Sequence, residues 1–162
     1  MTTRIHRAVV AAALTAASLT GTVALATPAF AADTVSVSFG NLILSGGPEA
    51  NSLRFEPVGN LVEVRELNST SMTAGPGCIQ IDTRVVHCRG VQNINANGGG
   101  GVDVLDNKTT LPSVLNGDTD SDLLIGGPRN DQLIGGPGTD NANGGPGQDI
   151  CNAEGETNCE LD

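Results

Sequence analysis

A run of regularly spaced aspartates is the part of this sequence best suited to chemistry. The segment from Gly98 to Asn152 contains nine-residue units that open with glycine. The sixth place of each unit is held by Asp103, Asp122, Asp131, Asp140 or Asp149. The eighth place is held by Leu105, Leu124, Leu133, Ala142 or Cys151. Glycine permits sharp turns, and carboxylates in such turns are oxygen ligands for a hard cation. A short fixed period also predicts a stacked, repetitive fold.

The repeating frame G-G-x-G-x-D-x-U-x, with U a large apolar residue, resembles the nonapeptide of secreted RTX (repeats-in-toxin, hemolysin-type) calcium-binding proteins. It is carried by GGPRNDQLI from Gly126, GGPGTDNAN from Gly135 and GGPGQDICN from Gly144, and also by GDTDSDLLI from Gly117 and GGGGVDVLD from Gly98. The resemblance implies an all-β fold, a right-handed parallel β-roll or β-helix solenoid. Two units would form one coil, and Ca²⁺ would lie between turns stacked on the same edge.

The resemblance also implies which residues would bind Ca²⁺. The ligands would be the five aspartates and the turns opened by Gly126, Gly135 and Gly144. Calcium takes six to eight oxygens, which carbonyls and carboxylates supply. The stacked pairs would be Asp122 with Asp140, Asp131 with Asp149, and Asp103 with Asp122. Because 19 residues separate Gly98 from Gly117, one more than two units, residues 107–116 must absorb an extra residue.

Two other interpretations of this tract are less favoured. A tract rich in Gly, Pro, Asn and Asp is typical of a disordered linker, but a linker does not require an aspartate at every ninth place. The aspartates at 118, 120 and 122 imitate the start of an EF-hand loop. In that alignment Leu123 replaces the required glycine and Arg129 replaces the closing glutamate, so the match fails. The repeats are therefore expected to be ordered, with order coupled to metal binding.

The first 31 residues predict export. Arg4 and Arg7 precede an apolar run, and Ala29-Phe30-Ala31 is a small-x-small cleavage site, so residues 1–31 are interpreted as a signal peptide. A retained membrane anchor is less favoured because Ala, Thr and Ser dominate the run. The product is expected to be secreted, extracellular and not inserted in a membrane.

The charge of the chain limits its partners. All 18 acidic residues lie after residue 31, whereas Arg4 and Arg7 lie before it. An acidic chain repels nucleic acid and anionic membranes, so no nucleic-acid partner is expected. Calcium ions are the expected counter-charges.

Residues 32–97 predict a β-rich N-terminal part that extends the solenoid. Val35, Val37 and Phe39 alternate with polar residues, a pattern typical of a strand. GGPEANSLR, from Gly46, is a degenerate unit with Asn51 at the aspartate place and Leu53 at the core place. No calcium is expected there, because this turn lacks its carboxylate. The chain contains no Trp or Tyr, so metal ions and disulfides are expected to supplement a thin core.

The four cysteines form two close pairs, and export favours disulfides. Cys78 and Cys88 flank a predicted hairpin and would face each other across it. Cys151 and Cys159 would close residues 153–162 into a cap after the repeats of residues 98–152. Zinc binding is less favoured because no Cys-x-x-Cys spacing is present.

No catalytic motif accompanies the repeats. His87 is the one histidine after residue 31 and is interpreted as a strand residue, and no nucleophile elbow, H-E-x-x-H or P-loop pattern occurs. The favoured hypothesis is an exported calcium-binding β-roll protein without catalysis of its own. The alternative is a cell-surface or polysaccharide-binding adhesive module that uses the roll as a scaffold. The sequence does not identify a cell-wall or protein partner.

Overall fold

A computed structural model describes residues 32–68 and 71–160, and within these residues every regular element is a β-strand. The all-β expectation is confirmed. No described helix could span a membrane. The signal peptide expected in residues 1–31 lies outside the described residues.

The strands are β1 (Asp33–Ser38), β2 (Asn41–Ser45), β3 (Ser52–Val58), β4 (Leu61–Glu66), β5 (Met72–Ala74), β6 (Cys78–Asp82), β7 (Val85–Arg89), β8 (Asn93–Gly99), β9 (Val104–Asn107), β10 (Ser113–Asp118), β11 (Leu123–Ile125), β12 (Gln132–Ile134), β13 (Asn141–Asn143), β14 (Ile150–Asn152) and β15 (Gly155–Thr157).

The strands form two mixed sheets. One sheet has seven strands in the order β14-β12-β10-β8-β2-β1-β5, and the other has eight in the order β15-β13-β11-β9-β3-β4-β7-β6. Neighbouring strands are parallel from β2 to β14 in the first sheet and from β3 to β15 in the second. The N-terminal strands add antiparallel hairpins to the same two sheets.

From β8 to β15 the chain alternates between the two sheets, so each strand pairs with the strand two places later. The nonapeptide period produces this pattern: six residues turn, and three form a strand with an inward central side chain. All five expected core residues are at most 3% exposed. They stack in register, Leu105 on Leu124 and Ala142 in one sheet, and Leu133 on Cys151 in the other. One apolar residue per strand therefore forms the repeat core.

The N-terminal strands carry a wider core. Phe55, Val64 and Val86 are fully buried on three neighbouring strands. The degenerate unit is in register, because Leu53 pairs with Leu105. The strand prediction is wrong at Phe39, which occupies the β1–β2 turn with φ 49° and is fully exposed. The alternating pattern could not reveal this, because Gly40 completes the two-residue turn one position later.

Both predicted disulfides are confirmed, Cys78–Cys88 and Cys151–Cys159. The first joins paired residues of β6 and β7. The second joins the buried centre of β14 to the segment after β15. The two covalent links therefore lie at different parts of the fold, one in the N-terminal hairpins and one beyond the last repeat.

Candidate metal centre

The aspartates of the repeats form two rows, and each aspartate immediately precedes its strand. Edge A comprises the turns that lead into the eight-stranded sheet, at residues 46–51, 98–103, 117–122 and 135–140. Edge B comprises the turns that lead into the seven-stranded sheet, at residues 108–113, 126–131 and 144–149. The five predicted aspartates are all at most 3% exposed. Carboxylates are thus buried at both edges, and none of the five forms a salt bridge with a lysine or arginine of the described residues.

One oxygen of each carboxylate links successive turns. The backbone N–H of Asp103 donates to Asp122 Oδ1 at 2.8 Å, and that of Asp122 donates to Asp140 Oδ1 at 2.8 Å. On edge B the N–H of Asp131 donates to Asp149 Oδ1 at 2.8 Å. The structure therefore brings together all three expected pairs, including the pair across the 19-residue gap. Their role as metal ligands stays a prediction.

The second carboxylate oxygen is the unusual feature of the rows. Oδ2 is buried without a hydrogen-bond partner in Asp103, Asp122, Asp140 and Asp149. Asp131 differs, because its Oδ2 accepts a hydrogen bond from Gly127 N at 2.7 Å. A buried acceptor without a partner costs about 1–3 kcal/mol, and more when it is charged. A cation beside these oxygens would remove that cost.

Backbone carbonyls of the next turn approach the same oxygens. A Cβ built on Gly126 would lie 2.4 Å from Gly144 O and 2.9 Å from Asp131 Oδ2. A Cβ on Gly98 would lie 2.3 Å from Asp103 Oδ2 and 2.9 Å from Gly117 O. Only glycine leaves room for two oxygens to converge there. Glycine at the first place of the repeat thus leaves space in which a carboxylate oxygen approaches the carbonyl of a neighbouring turn.

The other two predicted glycines occupy equivalent places. A Cβ on Gly135 would lie 2.4 Å from Asp140 Oδ2, and a Cβ on Gly144 would lie 2.6 Å from Asp149 Oδ2. The carbonyl of Gly135 also accepts a hydrogen bond from Asp118 N at 3.1 Å. Each carbonyl oxygen has two lone pairs, so this bond leaves one for a cation. Calcium binding through these glycines stays a prediction.

Burial changes the acidity of the rows. Burial raises the pKa of Asp103 to about 7. The hydrogen bond from the backbone N–H of Asn51 lowers this pKa, whereas the negative charge of Asp122 raises it further. Burial also raises the pKa of Asp122 and of Asp149, and the neighbouring carboxylates add to it. Without a cation, the stacked aspartates are therefore held in an environment that disfavours their charge.

These features fit a calcium site made of carboxylate and backbone oxygens better than a metal site made only of side chains. Within residues 32–68 and 71–160, no group of three or more His, Cys, Asp or Glu side chains could hold a metal ion. The cysteines are in disulfides, which removes the thiolates that zinc prefers. A cation here would have to combine carboxylate and backbone oxygens. Calcium accepts that donor set, and the unpartnered Oδ2 atoms with nearby carbonyls provide it.

The structure also reveals a repeat that the sequence frame missed. In residues 108–116, Ser113 takes the aspartate place and its N and Oγ donate to Asp131 Oδ1 at 2.6 and 2.7 Å. Leu115 takes the core place, fully buried and paired with Leu133. The extra residue of the 19-residue gap is Asn107, which lengthens β9 to four residues. Restarting the frame at Lys108 would have revealed this unit.

The turn at residues 117–122 departs from the glycine pattern. Asp118 and Asp120 both adopt φ 79°, the conformation that Gly99, Gly101 and Gly136 adopt in neighbouring turns. Aspartate tolerates this conformation better than most residues, at a cost in strain. Asp120 Oδ2 accepts a hydrogen bond from Gly101 N at 3.1 Å. The extra carboxylates therefore lie beside the edge A row. Burial is the largest cause of the raised pKa of Asp122, and the charges of Asp140, Asp120 and Asp118 raise it further.

Two glutamates after the repeats were also missed. Glu154 Oε2 accepts from Asp140 N at 2.8 Å on edge A, and Glu160 Oε2 accepts from Asp149 N at 3.0 Å on edge B. Each glutamate therefore receives the hydrogen bond that the next aspartate of its row would receive. Glu154 lies in the short connection between β14 and β15, and Glu160 lies three residues after β15. Both connections are shorter than a six-residue repeat turn, so the nine-residue period could not locate these glutamates.

The family comparison agrees with the geometry. Residues 116–151 match the RTX calcium-binding nonapeptide repeat in four copies. Comparisons with curated proteins and with solved structures give no match. The matched segment contains Asp122, Asp131, Asp140 and Asp149 and ends at Cys151, before the two glutamates.

Proposed function

We propose, from the premise that residues 116–151 are RTX calcium-binding nonapeptide repeats, that this chain is an exported calcium-binding protein. The ions would join successive turns of each edge and stabilise the repeats. The observation that carries the proposal is the set of buried, unpartnered Oδ2 atoms of Asp103, Asp122, Asp140 and Asp149. A divalent cation would supply the positive charge that this set lacks.

The alternation of strands between the sheets supports a parallel β-roll for the repeats, with two nonapeptides per coil. In this arrangement a cation would lie between turns 98–103 and 117–122, between 117–122 and 135–140, and between 126–131 and 144–149. The carboxylates would be joined by carbonyls such as Gly117 O and Gly144 O. Buried carboxylates that repel each other would then be neutralised in pairs.

Export is the second part of the proposal. The signal-like sequence of residues 1–31 supports it, and the two disulfides are typical of an oxidising compartment. Extracellular calcium modules bind with Kd values of about 10⁻⁴ to 10⁻³ M. We propose that the protein acts by binding calcium, without catalysis of its own.

Calorimetry on chelator-stripped, secreted protein tests this function. Titration with CaCl₂ should give saturable binding with Kd values of about 10⁻⁴ to 10⁻³ M, whereas Mg²⁺ should bind weakly because it demands rigid octahedral geometry. The variant Asp122→Asn keeps the oxygen that accepts from Asp103 N and removes the charge, so it should bind fewer ions. Absence of calcium binding at several times 10⁻³ M would reject the proposal.

A surface groove favours the alternative of an adhesive module. It encloses about 420 Å³ and is lined in part by Asn41, Asn93, Asn130, Gln148 and Ile150. Amide side chains both donate and accept hydrogen bonds, as recognition of a polysaccharide requires. Pull-down against cell-wall material tests this function. Calcium-dependent retention that is lost in Asn93→Ala would support it, and equal retention of the variant would reject the groove as the binding site.

A further inference from the structure

The segment after the last repeat completes edge B in the manner of another repeat turn. Glu160 N donates to Asp149 O at 3.1 Å, and Glu160 Oε2 accepts from Asp149 N at 3.0 Å. The preceding turn makes the second of these contacts through Asp149 Oδ1 and Asp131 N. Residues 158–160 thus occupy the position of a further turn, although they have neither the length nor the sequence of the nonapeptide.

The carbonyl of Asn158 strengthens this equivalence. A Cβ on Gly144 would lie 2.3 Å from Asn158 O and 2.6 Å from Asp149 Oδ2. One turn earlier, a Cβ on Gly126 would meet Gly144 O and Asp131 Oδ2 in the same way. Asn158 adopts φ 52°, a left-handed conformation that asparagine tolerates. A three-residue turn can therefore present the carbonyl that a full repeat presents with its first glycine.

The carboxylate that faces this turn lacks a partner for one oxygen. Asp149 is fully buried, and its Oδ2 has no hydrogen-bond partner. Asp131 Oδ2, its counterpart one turn earlier, does have one in Gly127 N. The charge of Glu160 adds to that of Asp131 around Asp149. Oxygens of Asp149, Asn158 and Glu160 therefore lie around the start of this turn, and within the described residues neither carboxylate forms a salt bridge.

Edge A ends differently and provides the contrast. Glu154 accepts a hydrogen bond from Asp140 N, as Glu160 does from Asp149 N. However, the three atoms nearest to a Cβ on Gly135 all belong to Asp140, so no carbonyl of the terminal segment comes as close there. Glu154 thus ends its row by satisfying an N–H group, whereas Glu160 belongs to a turn that also brings a carbonyl.

The Cys151–Cys159 disulfide explains how so short a turn is held. Cys159 lies between Asn158 and Glu160, and Cys151 is the buried centre of β14, two residues after Asp149. A full repeat would hold its turn with a following strand and a core leucine. Here the covalent bond joins the turn to the core directly, and it reduces the conformational entropy lost when the turn becomes ordered.

We propose that Asp149, Glu160 and the carbonyl of Asn158 form an additional calcium site beyond the nonapeptide repeats, held in place by the Cys151–Cys159 disulfide. The inference rests on the proposed calcium function, because it extends the edge B row by one ion. It also assigns the terminal disulfide a role in binding. The ion would neutralise Asp149 and Glu160 together.

Counting bound calcium in two matched variants tests the site. Glu160→Gln keeps the oxygen that accepts from Asp149 N and removes the charge, and Glu154→Gln makes the same change at the end of edge A. At saturating calcium, calorimetry on the secreted protein should show one ion fewer in Glu160→Gln, or one site weakened at least about tenfold. Glu154→Gln should bind as many ions as the unchanged protein.

The double variant Cys151→Ser/Cys159→Ser, with Cys78–Cys88 intact, should also lose one ion and keep the β-sheet circular dichroism of the calcium-loaded protein. If this variant fails to fold, the two glutamate variants still decide the question. Equal ion counts and affinities in Glu160→Gln and the unchanged protein would overturn the inference and leave the repeat sites intact. Absence of calcium binding in the unchanged protein would instead overturn the proposed function.

Discussion

The turn at residues 46–51 and the repeat turns satisfy the carbonyl of the next turn in different ways. In the first turn, Asn51 Nδ2 donates to Gly98 O at 3.1 Å. In the next turn of edge A the same place holds Asp103, whose Oδ2 has no hydrogen-bond partner and lies near Gly117 O. An amide joins two turns without a metal ion, whereas two acceptors require one. If calcium binds as proposed, a difference of one side-chain group separates a metal-independent junction from a metal-dependent one.

The two regions also differ in how they are packed. Around β3, β4 and β7, Phe55, Val64 and Val86 are fully buried, and a disulfide joins β6 to β7. In the repeats each three-residue strand contributes one buried side chain, and at β13 that side chain is only Ala142. Apolar burial stabilises roughly in proportion to area, so we expect the N-terminal region to be the more stable part without metal.

Removal of calcium should have the largest effect. In chelator, backbone amides of β11–β15 should lose hydrogen-exchange protection, whereas those of β3, β4 and β7 should keep it. Each ion at about 100 times its Kd stabilises the fold by about 2.7 kcal/mol, and that contribution would be lost. Hydrogen exchange followed by mass spectrometry measures both regions in one sample. Equal loss of protection in the two regions would contradict the comparison.

Asn51→Asp should make the first junction depend on calcium. The change removes the hydrogen bond to Gly98 O and adds a buried carboxylate oxygen, so in chelator the free energy of unfolding should fall by about 1–3 kcal/mol. Added calcium should restore stability, with one more ion bound than in the unchanged protein.

Asn51→Ala is the matched control, because it removes the same hydrogen bond without adding a ligand. Denaturant unfolding with and without calcium compares the two variants. Calcium should rescue only the aspartate variant. Identical behaviour of both would show that the residue at this place does not decide metal dependence.

The pH dependence should change sign with calcium. Burial raises the pKa of Asp103 to about 7 and that of Asp33 to about 6. The folded, metal-free protein therefore binds more protons than the unfolded chain between about pH 4 and pH 7, and its stability should fall as the pH rises through this range. With calcium, deprotonation favours the ion, so stability should rise over the same range. Thermal unfolding at pH 5 and pH 7, with chelator or calcium, measures both trends; parallel trends would contradict the account.

Asp118→Gly should have the smallest effect. Asp118 holds φ 79°, which costs roughly 1–2 kcal/mol for a residue with a side chain. Glycine removes this strain and one charge near Asp122, but it adds about 0.5–1 kcal/mol of unfolded-state entropy. The metal-free protein should become more stable by about 0.5–1 kcal/mol. Gly145→Ala, at φ 88°, is the opposite change and should be destabilising; denaturant unfolding of both variants checks this.

The regular part of the site could be predicted from the sequence, because an aspartate and a core residue recur in one frame. The frame located the stacked aspartates and the core residues, and the close pairing of the four cysteines located both disulfides. It failed wherever the chain length changed. The inserted Asn107 hid Ser113, and the shortened turns hid Glu154 and Glu160, which receive the same backbone N–H bond as the aspartates.

Contacts between distant residues could not be predicted either. Asp33 Oδ1 accepts from Gly47 N at 3.0 Å, and Glu66 Oε1 accepts from Ser52 N at 3.0 Å. These carboxylates come from β1 and β4 and flank a turn that has Asn51 instead of a carboxylate at the aspartate place. Antiparallel pairing of β1 with β2 and of β3 with β4 brings them there, and strand register is not visible in the nonapeptide pattern.

A crystal structure of the protein at millimolar calcium tests the central claim most directly. The account predicts ions on both edges, at about 2.3–2.6 Å from the Oδ2 atoms of the stacked aspartates and from carbonyls of the next turn. It also predicts no ion between Asn51 and Gly98 O. Oδ2 atoms without ions at saturating calcium, each paired with a water or a protonated neighbour, would contradict it.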